Sequence, residues 1–131
     1  MRTLIVAGSR NFNDYERMCK ELDKLCLTLE CEIVTGGARG ADSLAMRYAE
    51  EKGIPCKVFP AEWDVHGKAA GPIRNKAMAA YAKDRDAYLI AFTDGGKGTE
   101  GMIKEASRVG IESTVIDIRI QDTVETKSSD W

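Results

Sequence analysis

The sequence lacks the marks of several common function classes. Its four cysteines, Cys19, Cys26, Cys31 and Cys56, form no CxxC pair, and its one histidine, His66, has no cysteine near it. A zinc site needs ligands at such spacings, so no metal is expected. Cys19 and Cys26 lie seven residues apart on one face of a helix and read as core thiols, and reduced cysteines fit the cytosol. There is no block of like charge: 19 Lys and Arg stand against 21 Asp and Glu, for a net charge of −2. That balance speaks against bulk nucleic-acid binding and leaves room only for a local positive patch. No apolar run reaches membrane-spanning length, and the N-terminus has no signal-peptide pattern. A cytoplasmic location with no membrane partner is the expectation. No internal repeat and no second domain is visible. At 131 residues the chain suffices for one domain with a real core.

What is present is apolar runs that stop at glycine-rich turns. Thr3-Leu4-Ile5-Val6-Ala7 is continuous, as in a strand buried on both faces. Met18, Leu22, Leu25, Cys26 and Leu29 recur at helical spacing, predicting a helix over about 14–29 with Asp14 as a cap. Ile33-Val34 centres a second strand. Leu44, Ala45, Tyr48 and Ala49 form the next helical stripe, stopped by Gly53. A third strand is predicted over 56–59. The stretch 60–72 reads as a long irregular loop, and Pro72 suits the first turn of a helix turning Ile73, Ala77, Met78 and Tyr81 inward. Ala87-Tyr88-Leu89-Ile90-Ala91-Phe92 is a fourth strand. A helix to about Val109 and a fifth strand over 113–118 follow. Residues 121–131 are polar and aperiodic and are expected to fray. The order predicts an α/β fold: an open, mainly parallel five-stranded sheet with helices on both faces, forming one domain over 1–120. Ligands in such folds sit beyond the carboxyl ends of the strands, near a switch in strand order. Three glycine-bearing turns would meet on that edge.

The first turn, Gly8-Ser9-Arg10, offers a hydroxyl and a guanidinium able to grip a phosphate. The second, over 35–42, carries Gly36, Gly37, Arg39, Gly40 and Asp42. Its glycine density suits close approach of a ligand or of a neighbouring loop. Asp42 reads as the N-cap of the next helix or as an acceptor for ribose hydroxyls. The third, Asp94-Gly95-Gly96-Lys97-Gly98-Thr99, lies between a strand and a helix, the layout that offers backbone N–H groups to an anion. Thr99 can cap that helix or donate its hydroxyl. Arg74, Asn75 and Lys76 open another helix, where cations sit against the helix dipole unless an anion joins them. Glu62, Trp63 and Asp64 are candidate base and ribose contacts. Trp63 otherwise covers the core, and the lone His66 reads as structural.

These motifs together resemble the SLOG superfamily, which includes the DNA-processing Smf/DprA proteins and the "lonely guy" phosphoribohydrolases, long described as lysine decarboxylases. Phe59-Pro60-Ala61-Glu62-Trp63-Asp64, His66-Gly67-Lys68 and Gly71-Pro72-Ile73-Arg74-Asn75 look most like its small YspA-type branch, the DUF2493 domain of bacteria and phages. The resemblance covers about residues 3–117. It implies a Rossmann-like domain that binds nucleotides or nucleotide-derived ligands such as a nucleoside monophosphate, ADP-ribose or an NAD-like molecule, with no cofactor required. Relatives commonly pair, so a homodimer is an expectation. In the phosphoribohydrolases the loop reads Pro-Gly-Gly-x-Gly-Thr-x-x-Glu, and its Glu acts with an Arg. Here Gly95, Gly96, Gly98, Thr99 and Arg74 match, Asp94 replaces the Pro, and Met102 holds the place of the Glu. The resemblance therefore favours a binding protein, a sensor or a sequestering protein. An N-glycosidase is the alternative, and a nucleic-acid module is a second.

Overall fold

The computed structural model describes residues 1–26 and 30–120. The predicted end of the first helix near Leu29 and the fraying expected over 121–131 lie outside the described residues. The chain forms β1 (Arg2–Gly8), α1 (Tyr15–Cys26), β2 (Cys31–Thr35), α2 (Ala41–Lys52), β3 (Cys56–Val58), the short α3 (Trp63–His66), a 3-10 turn (Gly67–Ala69), α4 (Ala70–Ala82), β4 (Asp86–Thr93), α5 (Lys97–Arg108) and β5 (Glu112–Asp117). The five strands make one sheet in the order β3-β2-β1-β4-β5, and every pairing is parallel. This is a Rossmann-like arrangement, more uniformly parallel than expected.

Alternation along β1 explains the two layers of helices. Leu4 and Val6 pack on one face with Met18, Leu22, Ala45 and Tyr48 of α1 and α2. Ile5 and Ala7 pack on the other with Met78, Ala79, Met102 and Ala106 of α4 and α5. A central strand covered on both faces has no polar side, so it reads as an unbroken apolar run. Asp14 caps α1 as expected, its Oδ1 accepting the Arg17 amide at 3.1 Å. Cys19 and Cys26, both on α1, are partly buried against the core, and all four cysteines are free thiols.

Three expectations need correction. The stretch 60–72 is not an irregular loop: α3 and the 3-10 turn run directly into α4, in which Pro72 is the third residue. The inward face of α4 is Ala70, Gly71, Asn75, Met78, Ala79 and Ala82, whereas Ile73 and Ala77 are exposed and Tyr81 is half-buried. Small residues let this helix approach its neighbours closely, so size rather than hydropathy marks its buried stripe. Trp63 does not cover the core; it is 48% exposed on α3.

Candidate functional site

The chain leaves β1 towards β2 on one side and later returns to β4 on the other, so the switch in strand order lies between β1 and β4. A crevice must open there at the carboxyl ends, because the connections from the two strands lead to opposite faces of the sheet. A cavity of about 290 Å³ fills it. Ala7, Met78 and Met102 supply its apolar lining. Gly8, Ser9, Arg10 and Asn11 come from the β1 turn, Ala38 and Asp42 from the β2 side, Arg74 and Asn75 from α4, and Asp94, Gly96, Gly98 and Thr99 from the β4 turn and α5. Among the predicted site residues, Gly36, Gly37, Arg39 and Gly95 stay outside this lining, as do Glu62, Trp63 and Asp64.

The β2 loop is occupied by the fold. Gly36 O accepts from Arg74 Nη1 at 3.0 Å, and a Cβ at Gly36 would lie 2.1 Å from that nitrogen. Gly40 has φ +78°, and a Cβ there would lie 2.3 Å from Ser9 O. Arg39 is exposed. Asp42 does not take the N-cap position of α2, which belongs to Gly40. It is the second helical residue and turns back on the loop, its Oδ2 accepting the Ala38 amide at 3.1 Å. Burial raises its pKa, against the pull of the Ala38 amide, the Thr35 hydroxyl and the nearby Arg74 and Arg10. Arg74 is half-buried in turn; desolvation lowers its pKa while Asp42 opposes the shift. Its Nε donates to Asn75 Oδ1 at 3.0 Å, and Asn75 Nδ2 donates to Gly98 O at 3.2 Å. The pair therefore tie the start of α4 to both glycine loops.

The β4 turn is built differently. Gly95, at φ +92°, donates its amide to Thr93 Oγ1 at 2.9 Å. Gly96 donates to Asp94 Oδ1 at 3.1 Å. Ser9 Oγ donates to Asp94 Oδ2 at 2.8 Å, joining the β1 and β4 turns across the crevice. The Glu100 amide donates to Gly96 O at 3.1 Å, and Lys97, Gly98 and Thr99 precede it in the first turn of α5, where amides have no intrahelical acceptor. These are the donors suited to an anion. Gly98 faces open space, with nothing within 4 Å of a Cβ placed on it. Thr99 is not a cap: Gly96 holds the cap position, and Thr99 is buried in the first turn of α5, lining the cavity.

Residues 2–66, from β1 through α3, match the YspA, cpYpsA-related SLOG family. The chain is also similar to the Gene 61 protein of Mycobacterium phage D29, with 34% identity over 121 residues, 85% of this chain and 93% of that protein. The chain belongs to the YspA/cpYpsA-related SLOG family.

Within this SLOG domain Met102 is 1% exposed and lines the cavity. Glu100 is exposed, and Glu105 pairs with Arg108 at 2.9 Å; neither lines the cavity. Glu62 and His66 line a separate cleft of about 370 Å³ with Phe59 and Ile73. Trp63 stands beside the site residue Arg10, whose guanidinium carbon is 5.7 Å from the indole centroid. Asn11 was not foreseen: it lines the cavity, and its amide donates to Ser9 Oγ at 3.0 Å. Its place directly after Gly8-Ser9-Arg10 was the one signal for it. Among the described residues no group of three or more His, Cys, Asp or Glu could hold a metal, and no helix is long and apolar enough to cross a membrane.

Proposed function

We propose that this SLOG domain binds a small nucleotide-derived ligand in the cavity between β1 and β4, as a sensor or sequestering protein rather than as a catalyst. One observation carries the reading. Arg10, Arg74 and the first turn of α5, with Gly98, line one cavity together with Ala7, Met78 and Met102. Guanidiniums and helix-start amides suit a phosphate, and the apolar patch and Trp63 beyond Arg10 suit a base. The chain's family membership supports the same reading, and its nearly neutral charge argues against a nucleic acid as the partner.

Cleavage of an N-glycosidic bond is the second reading, favoured by the two carboxylates in the cavity, Asp42 and Asp94. Such chemistry asks for a carboxylate to steady an oxocarbenium or activate water. Asp42 holds the Ala38 amide and Asp94 holds Ser9 and Gly96, so both serve the loops, and Met102 can do neither task. Mass spectrometry of small molecules carried through native purification tests the binding reading. A phosphorylated nucleoside derivative recovered intact is the expected result. Free base accumulating on incubation with nucleoside monophosphates would shift the account to the enzyme.

A further inference from the structure

The rim of the cavity holds a carboxylate at the place where an anion site would gain from having none. Asp94 uses one oxygen for the Ser9 hydroxyl and the other for the Gly96 amide. These contacts, Ser9 first, hold its pKa below the usual carboxylate range. A carboxylate has about four lone-pair sites, so acceptor capacity remains on a group that lines the cavity. The cationic part of the lining is Arg10 and Arg74, from the β1 turn and α4. A ligand with phosphate at one end and neutral hydroxyls at the other fits both regions. The volume, about 290 Å³, lies just below the roughly 300–1,000 Å³ common for small-molecule sites, which suits a mononucleotide better than a dinucleotide.

We propose that Asp94 is the specificity-determining residue of the site: it accepts the vicinal hydroxyls of a ribose, while the single phosphate of the same ligand lies towards Arg10, Arg74 and the first turn of α5. The inference rests on the nucleotide reading above and narrows it to ribonucleoside monophosphates. A carboxylate that recognises a diol rejects the analogue lacking it, because a hydrogen bond to a charged acceptor is lost and not replaced.

The test is calorimetry on the whole chain with the four ribonucleoside 5′-monophosphates and their 2′,3′-dideoxy counterparts. The expected result is that the ribose form that binds best exceeds its dideoxy partner by about tenfold or more. Asp94→Asn, isosteric and able to keep one loop contact, should reduce that ratio several-fold. Ser9→Ala breaks the bridge between the turns but leaves the carboxylate, so it should keep the ratio even if both affinities fall. Thermal midpoints of the two variants report that each is folded. Equal affinities for ribose and dideoxy forms in the unaltered chain would overturn this inference alone. So would a ratio unchanged in Asp94→Asn, or one lost equally in Ser9→Ala. No binding by any of the eight probes would also overturn the inference, while a larger nucleotide derivative copurifying intact would leave the nucleotide reading standing.

Discussion

The two glycine-rich loops, over 35–42 and 94–99, look alike as sequence and do opposite work. In the first, the glycines are consumed by contacts within the protein. Gly36 gives way to Arg74, and Gly40 passes against the Ser9 carbonyl. In the second, Gly98 faces nothing within 4 Å and borders the cavity. A glycine is needed either because something is already there or because something must be able to arrive. The first loop positions α2 and the second leaves room beside α5, so the proposed ligand would enter beside the second.

Substitutions can break or sharpen that contrast. The largest effect on stability is expected at Gly40. Gly40→Ala combines a positive φ with a Cβ 2.3 Å from Ser9 O, and together these should cost about 3 kcal/mol of stability in urea unfolding. A loss well under about 1 kcal/mol would mean that the β2 loop is not packed as described. Arg74→Ala is expected to act on both properties. It removes donors to Gly36 O and Asn75 Oδ1, for about 1–2 kcal/mol of stability, and should weaken a phosphate ligand by roughly 2–4 kcal/mol. Unfolding curves and calorimetry on one preparation separate the two. Unchanged affinity would remove Arg74 from the ligand.

The smallest effects are expected in the pH dependence, where the two cavity carboxylates act with opposite signs. Asp94 has a depressed folded pKa. Its contribution is present above the ordinary carboxylate range and is lost as pH falls through the depressed value. Asp42 has a raised folded pKa, chiefly from burial. Its ionised form is disfavoured in the fold, so stability is gained as pH falls through the raised value towards the ordinary one. The thermal midpoint of Asp42→Asn should therefore lack a gain that the unaltered chain shows on mild acidification. Parallel pH curves for the two proteins would contradict the sign assigned to Asp42.

Much of this arrangement was legible in the residues. Strands covered on both faces announce themselves as apolar runs, and parallel order follows from their alternation with helices, so the edge where the turns meet could be named in advance. The purpose of each glycine could not, because Gly36 and Gly98 differ only in what lies opposite them, and that depends on side chains such as Arg74 from distant segments. Nor could the partners of the β4 turn's amides: the expectation that 95–99 would present bare N–H groups did not reckon with Thr93 and Asp94 accepting from Gly95 and Gly96. Helix α4 was misread because Ile73 and Ala77 offered an apolar pattern, whereas close packing selected Gly71, Asn75 and Ala79.

The central claim is that the open space at Gly98 belongs to a ligand. Gly98→Val tests it most directly, because the position lines the cavity, is helical with no positive φ, and has nothing within 4 Å of a Cβ placed on it. Replacing a helical Gly also lifts a penalty of about 0.3–1 kcal/mol relative to other residues. The account expects a thermal midpoint equal to or above that of the unaltered chain, together with loss of the copurifying small molecule and of nucleotide binding by calorimetry. A folded Gly98→Val protein that retains its small molecule in full amount would contradict it and place the site elsewhere.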